Sequence, residues 1–179
     1  MEAAFNDSVA GSNEGVNSDT QARDPGNGTV VGLIADTHGL LRPKVPAALS
    51  GVDLIIHAGD IGRESILKTL EQLAPVYAVI GNVDRGAWAE TLPMSRRVDI
   101  GQIGLYICHG HETPNIDFAK AGYQVVVSGH SHKAKAETCD GVLYLNPGSA
   151  GPRRFKLPVT LMRLYIEGRD VRPELIELV

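Results

Sequence analysis

The chain has 179 residues, 17 basic and 21 acidic side chains and a formal net charge of −4. This length favours one domain, and the charge balance argues against a specific nucleic-acid-binding protein. No apolar run reaches the roughly 18–20 residues of a membrane-spanning helix. The two cysteines, Cys108 and Cys139, form no CxxC pair, which is typical of a reducing compartment. We therefore expect a cytoplasmic protein without a membrane partner.

The first 28 residues carry all of the net charge. They contain five acids and one base, whereas the rest of the chain has 16 acids and 16 bases and is formally neutral. Their apolar residues follow neither a helical nor a strand period. Because such a segment cannot offset its ordering entropy by burying apolar surface, we predict a disordered acidic leader over residues 1–28 and a folded domain over residues 29–179.

Short apolar runs rich in β-branched residues predict strands in the rest of the chain. In chain order the early runs are Thr29–Ala35, Asp53–Ala58, Val76–Ile80, Ile103–Cys108 and Tyr123–Val127. Amphipathic segments predict helices at Pro43–Leu49, Glu64–Leu73 and Asn115–Ala121. Turn signals favour hairpins among the later runs, which are Val142–Leu145, Val159–Ile166 and Val171–Glu177. These patterns together predict an α/β fold with mixed sheets.

Asp, Asn or His follows each of the five early runs at or just after its end, where open α/β sheets place their sites. The candidate ligands are Asp36, His38, Asp60, Asn82, His109, His130 and His132. A glycine precedes three of them and permits a close backbone approach. Turn chemistry explains Asp and Asn but does not require His, so the pattern predicts a metal site. His57, inside the second run, is interpreted as a satisfied core residue or as a residue that supports the metal ligands without binding the metal.

Seven candidate ligands are too many for one ion, so we expect two divalent ions that share a bridging carboxylate. Imidazole, carboxylate and amide groups suit manganese, which is the preferred expectation, with nickel, cobalt, iron or zinc as alternatives. The same groups disfavour calcium and iron–sulfur clusters. Two ions about 3.5–4 Å apart are used for phosphoryl displacement and also by some peptidases.

The order of these blocks resembles the calcineurin-like metallophosphoesterase superfamily. The matching blocks are Asp36-x-His38, Gly59-Asp60, Gly81-Asn82-x-Asp84, His109 and Gly129-His130-x-His132. The short length, His109-Gly110-His111 and Asn146-Pro147-Gly148-Ser149 with Arg153 further resemble the small single-domain phosphodiesterases of bacteria and archaea. The resemblance implies a four-layer α/β/β/α sandwich, a small phosphodiester substrate and a homo-oligomer, dimeric or tetrameric.

The resemblance also implies how the ligands divide. One ion is held by Asp36, His38, Asp60 and His132. The other is held by Asp60, Asn82, His109 and His130, so that Asp60 bridges the two. A hydroxide between the ions then attacks phosphorus, with its pKa lowered by their charge.

One position departs from the superfamily pattern. Many members have a histidine where this chain has Val83, and that histidine is held to assist departure of the leaving group. Valine cannot donate a proton, which disfavours esters with poor leaving groups. The small phosphodiesterases often lack this histidine too. His111 is a candidate catalytic proton donor in its place, with the alternative that it only orients a ligand. Asp84 either caps the turn that follows it or supports the metal ligands without binding the metal itself.

The basic residues after the Pro-Gly-Ser turn could contact substrate phosphate or a neighbouring subunit. For Arg154 and Lys156 a solvated surface position is the favoured interpretation, and the family pattern favours Arg153 for the phosphate contact.

Two other functions stay open. The retromer complex contains a subunit of this fold that is chiefly a protein-interaction scaffold with a degraded metal site, although this chain retains His38, His130 and His132. The metals could also serve cleavage of another bond, such as a pyrophosphate in a nucleotide derivative.

Overall fold

The computed structural model of the chain describes residues 28–110, 114–154 and 156–178. The helices are α1 (Val45–Ala48), α2 (Glu64–Leu70) and α3 (Ala87–Glu90). The strands are β1 (Thr29–Ile34), β2 (Leu54–His57), β3 (Val76–Ala78), β4 (Ser95–Ile100), β5 (Ile103–Cys108), β6 (Val125–Val127), β7 (Lys135–Cys139), β8 (Val142–Asn146), β9 (Thr160–Glu167) and β10 (Asp170–Glu177). Apart from Gly28, the predicted leader lies outside these residues. Within them, no helix is long and apolar enough to span a membrane.

The strands form two mixed sheets of five strands each. The first has the order β10-β9-β1-β2-β3 and the second β4-β5-β6-β8-β7. β1, β2 and β3 are parallel, as are β5, β6 and β8, and the flanking strands pair antiparallel with them. The predicted α/β fold with mixed sheets is thus confirmed. Parallel neighbours bring their carboxyl ends to one edge of each sheet.

Buried side chains on alternating positions of β1 and β2 pack into two layers. Leu33 and Ile56 pack between the sheets with Leu105 of β5. Ile34 and Ile55 belong to the cluster on the opposite face, which includes side chains of α1 and α2. Each such side chain contributes about 1.5–3 kcal/mol when fully buried. Burial on both faces explains why these strands appear in the sequence as continuous apolar runs.

The outer face of the second sheet carries an aromatic cluster in place of a helix. Tyr106 and Tyr123 are 8% exposed and pack with Phe118. The predicted helix at Asn115–Ala121 is wrong, because this segment forms turns. Its chain closes one turn and then reverses at Gly122, whose φ is +81°, so it is too short to propagate as a helix.

Two strands were not predicted from the sequence because most of their residues are polar. All five residues of β7 are exposed, and β4 carries Ser, two Arg and Asp among its six residues, so neither shows an apolar run. The hairpin predicted at Asp140-Gly141 is confirmed between β7 and β8. Both residues have positive φ, as a type I′ turn requires. The predicted hairpin between β9 and β10 is confirmed as well.

Candidate metal centre

Five of the predicted ligands have left-handed backbone conformations, with φ between 45° and 64°. They are Asp36, His38, Asp60, His130 and His132. The conformation costs a non-glycine residue roughly 1–2 kcal/mol. Of the other described non-glycine residues, one more has a positive φ, and it lies in the β7–β8 turn. Backbone strain is therefore concentrated where the chain leaves the strands, as is typical of functional sites.

A first group of ligand atoms comes from Asp36, His38 and His132, and these atoms lie within 4.8 Å of one another. The Nε2 atoms of the two histidines are 3.2 Å apart. Oδ1 of Asp36 lies 3.3 Å from Nε2 of His132 and 3.8 Å from Nε2 of His38. This oxygen is buried and has no hydrogen-bond partner among the described residues. Two ring nitrogens and a carboxylate oxygen in this arrangement fit a divalent transition-metal ion.

A second group is organised around His109. Its Nδ1 donates to the carbonyl oxygen of Ala58 at 2.8 Å, so in the neutral ring Nε2 carries the lone pair. That nitrogen lies 3.0 Å from Oδ1 of Asn82 and 3.4 Å from Oδ2 of Asp60. Nδ1 of His130 lies 3.1 Å from the same amide oxygen. Ring nitrogens held by a second hydrogen bond beside two oxygens are typical of metal sites.

Asp60 lies between the two groups. Its Oδ2 is 3.8 Å from Nε2 of His38 and 3.4 Å from Nε2 of His109. One carboxylate oxygen thus faces a nitrogen from each group, where a bridging ligand is expected. The structure therefore brings all seven predicted ligands together at the carboxyl ends of the parallel strands.

The two carboxyl groups differ in pKa because their surroundings differ. Burial raises the pKa of Asp36 to about 7, against the lowering effect of a charged His109. Burial also acts to raise the pKa of Asp60, but hydrogen bonds from the Val83 N–H and from the charged form of His109, in which Nε2 is protonated as well, lower it to about 2. Asp60 is therefore ionised at neutral pH, whereas Asp36 needs a nearby cation to be fully ionised.

The pKa values of the histidines are also shifted in different directions. Burial, together with the positive charge of Arg154, lowers the pKa of His132 to about 4. Burial lowers the pKa of His38 as well. For His109, hydrogen bonds with Asp60 and the Ala58 carbonyl outweigh burial and raise the pKa. His38 and His132 are thus neutral at pH 7, which is the form that binds a metal ion.

His57 supports the loop between Asp36 and His38. The Thr37 hydroxyl donates to the carbonyl oxygen of Ile61 at 3.0 Å, so Nε2–H of His57 donates to that hydroxyl, also at 3.0 Å. Nδ1 of His57 is buried without a hydrogen-bond partner in the described part of the chain. Burial lowers its pKa to about 3, which keeps the ring neutral. The interpretation as a satisfied core residue is therefore correct for one ring nitrogen.

Asp84 connects the loops that follow β2 and β3. Its side chain is buried, with Oδ1 accepting from the Gly62 N–H at 2.7 Å and Oδ2 accepting from the Gly81 N–H at 2.8 Å. These hydrogen bonds are consistent with support of the site, whereas the turn that Asp84 caps precedes it in the chain and is not the following turn that the sequence predicted. Asp84 caps the turn at Gly81 and fixes that turn against the loop that carries Asp60.

Three glycines permit the close packing of these loops, as their positions predict. An added Cβ at Gly81 would overlap the backbone nitrogen of Asp60. At Gly59 it would lie 2.7 Å from Nδ1 of His109, and at Gly129 it would lie 2.8 Å from a backbone oxygen. Side chains do not tolerate contacts this short, so each glycine is required for the ligands to meet.

Arg154 is exposed, as the interpretation of a solvated surface residue predicts, and it also lies beside the centre. Its Nη2 lies 3.4 Å from Nε2 of His38. The neighbouring Arg153, which the family pattern favours, lines a separate cavity of about 420 Å³ with Arg42 and Lys44. Nothing in the residue types distinguishes the two arginines. The candidate donor His111 lies outside the described residues.

Comparisons with known proteins identify the family and the fold. The profile of the calcineurin-like phosphoesterase superfamily domain matches residues 30–169. A probable metallophosphoesterase of Methanothermobacter thermautotrophicus is 36% identical over 159 residues, covering 82% of this chain and 91% of the relative. A phosphodiesterase of Methanocaldococcus jannaschii is 31% identical over 166 residues, covering 82% and 99%. The crystal structure of wild-type Vps29 complexed with zinc, from Entamoeba histolytica, has the same fold, with a TM-score of 0.67. The two sequences are 22% identical, and the match covers 83% of this chain and 99% of that chain.

We predict that Asp36→Asn stabilises the metal-free protein at pH 8. Because the pKa of Asp36 is raised from 3.8 to about 7 on folding, its favourable contribution is complete below the lower value and is lost as the pH rises to the higher one. Asparagine avoids that loss. The free energy of unfolding at pH 8 then increases by up to about 4 kcal/mol, with little change at pH 4. Urea titrations in the presence of a chelator measure the difference.

The control for this comparison is Asp140→Asn, in the exposed β7–β8 turn, where asparagine accepts the same positive φ. It leaves the free energy of unfolding nearly unchanged at both pH values. An equal effect of Asp36→Asn at pH 4 and pH 8 contradicts the prediction.

We also predict that Asp84→Asn weakens metal binding without touching a ligand. The new amide can accept one of the two backbone N–H groups, but its own N–H₂ then faces the other. One buried N–H is left without an acceptor, which costs about 1–3 kcal/mol of stability. The loops that carry Asp60 and Asn82 lose their fixed spacing, so metal affinity falls by roughly 10–100-fold. Titration calorimetry measures it, and unchanged affinity refutes the prediction.

Proposed function

This chain belongs to the calcineurin-like phosphoesterase superfamily, and we propose that it is a phosphodiesterase that depends on two divalent metal ions. The ions are held as the resemblance implies, one by Asp36, His38, Asp60 and His132 and the other by Asp60, Asn82, His109 and His130. Manganese is the preferred metal, with nickel, cobalt, iron or zinc as alternatives. The protein's own residues hold these ions and orient the groups around them.

The observation that carries the proposal is the position of Asp60. Its Oδ2 faces a ring nitrogen of His38 on one side and of His109 on the other. Its pKa is lowered to about 2 despite burial, so it is anionic at every physiological pH. A single anionic oxygen between two groups of nitrogen and oxygen ligands suits two cations better than one.

When bound, such a pair of ions supplies an activated water nucleophile and neutralises charge on the phosphoryl oxygens. The protein holds the ligands in place beforehand. His109 is oriented by its hydrogen bond to Ala58, and Asp36 accepts the backbone N–H of His130 at 3.0 Å. The Asp36 carbonyl accepts the Ser149 hydroxyl, also at 3.0 Å. Ligands fixed in this way need little reorganisation during reaction, which lowers the barrier.

Val83 favours a phosphodiester with a good leaving group as the substrate. It stands beside the centre, since its N–H donates to Asp60, and its side chain is 40% exposed. A valine provides neither a proton for a poorly departing alkoxide nor a hydrogen bond to a phosphate monoester dianion. An apolar group at this position instead suits the ester substituent of a diester.

The test is an activity assay on metal-stripped protein reconstituted with manganese, nickel, cobalt, zinc or magnesium. We expect hydrolysis of bis(p-nitrophenyl) phosphate, slower hydrolysis of p-nitrophenyl phosphate, and about two ions per chain by elemental analysis. Asp60→Asn reduces turnover to that of the metal-free protein, because the shared ligand is lost. Asp140→Asn, in the exposed turn, serves as the matched control and keeps full activity.

Three outcomes contradict the proposal. A lack of turnover with every metal favours the alternative of an interaction scaffold, which is consistent with the likeness to Vps29. A preference for the monoester contradicts the inference from Val83. Cleavage of a nucleotide pyrophosphate but of neither aryl ester identifies the other alternative.

His111 remains the candidate proton donor in place of the absent histidine. We predict that His111→Ala slows hydrolysis of diesters more strongly as the pKa of the leaving group rises, because only poor leaving groups need a proton. The dependence of log kcat on leaving-group pKa becomes steeper in the variant. An equal loss across the series, or none, eliminates the donor role and leaves His111 as an orienting residue.

We further propose a cytoplasmic location and a homo-oligomer, dimeric or tetrameric. The described cysteines, Cys108 and Cys139, are both free thiols, which is consistent with a reducing compartment. The oligomer rests on the resemblance, and sedimentation velocity tests it directly.

A further inference from the structure

We propose that Arg154 binds a non-bridging oxygen of the substrate phosphate and is a substrate-binding residue of the centre. The inference rests on the proposed function, because it needs a phosphate anion beside the metal ligands. The guanidinium then binds the substrate and does not form a structural ion pair.

The position of Arg154 is the first argument. Its Nη2 lies 3.4 Å from Nε2 of His38, the nitrogen that lies 3.8 Å from a carboxylate oxygen of Asp36 and of Asp60. The residue is exposed, and within the described ranges no carboxylate lies within ion-pair distance of its guanidinium. Its five N–H donors therefore have capacity beyond the contact to His38.

The charge of Arg154 is the second argument. A guanidinium cannot lose its proton in a protein, so this residue keeps a positive charge beside groups that suit divalent cations. A cation next to such a site weakens metal binding by repulsion. The arrangement becomes favourable when an anion contacts both, and a phosphodiester has two non-bridging oxygens for this purpose. Arginine binds phosphate oxygens through parallel hydrogen bonds.

The contact between Arg154 and His38 is the third argument. A guanidinium only donates, so Nε2 of His38 must be the acceptor in the 3.4 Å contact. One lone pair cannot serve both a guanidinium and a metal ion. Loading of the site therefore releases Arg154 from His38 while leaving it at the edge of the centre. Its donors are then free for a phosphate oxygen, which is the role that its charge favours.

The test compares Arg154→Met with Arg153→Met, since the adjacent arginine lines a different cavity. Titration calorimetry measures the affinity for Mn²⁺ and, in the metal-loaded protein, for inorganic phosphate. We expect Arg154→Met to bind Mn²⁺ roughly three- to tenfold more tightly, because a repulsive charge is removed. It binds phosphate at least about tenfold more weakly, because a charged hydrogen bond is lost. Arg153→Met changes neither affinity, and Arg154→Lys retains part of the phosphate affinity.

The opposite signs of the two changes distinguish substrate binding from a structural role. A structural role predicts weaker binding of both Mn²⁺ and phosphate by Arg154→Met, and that result overturns the inference. Unchanged phosphate affinity, or an equal loss in Arg153→Met, overturns it as well. If the wild-type protein hydrolyses no diester but the predicted affinity changes occur, the proposed catalysis fails while anion binding by Arg154 is supported.

Discussion

The buried carboxyl group of Asp36 is the constraint on which the centre depends. One of its oxygens accepts the His130 N–H, and the other has no hydrogen-bond partner among the described residues. A carboxylate removed from water in this way is costly unless a positive charge compensates it. The neighbouring ring nitrogens of His38 and His132 cannot do so, because burial keeps both rings neutral at pH 7. The positive charges of His109 and Arg154 lower the pKa of Asp36 only in part, since it is still about 7, and a cation held by the surrounding loops would supply the rest of the compensation.

That arrangement is maintained by contacts between loops. Thr37 joins the loop after β1 to the loop after β2, and Asp84 joins the latter to the loop after β3. His109 reaches from β5 to the backbone of Ala58, so the second sheet is joined to the first at the same place. These hydrogen bonds offset the cost of the left-handed ligands, which strain the backbone by roughly 1–2 kcal/mol each. The hydrogen bonds between the loops therefore hold the candidate ligands in a backbone conformation that is unfavourable by itself.

The sequence predicted which candidate ligands lie together, because each is a residue type with metal chemistry at a position set by topology. Buried strands appear in the sequence as apolar runs. The end of each run marks the carboxyl end of the strand, where the candidate ligands lie. Other features leave no such signal. The polar strands β4 and β7 lack an apolar run, and the segment Asn115–Ala121 has a helical pattern but turns at Gly122. Arg154 and Arg153 are identical in type, so only the three-dimensional course of the chain distinguishes them.

The long separation of the ligands along the chain has a consequence for how the protein is made. Asp36 accepts its hydrogen bond from His130, 94 positions later, and the segment between them supplies strands to both sheets. A chain emerging from the ribosome presents its N-terminal part first. On the proposed ligand assignment, a complete set of ligands exists only after His132 has been synthesised. The finished centre therefore forms late in biosynthesis, after the N-terminal strands have left the ribosome.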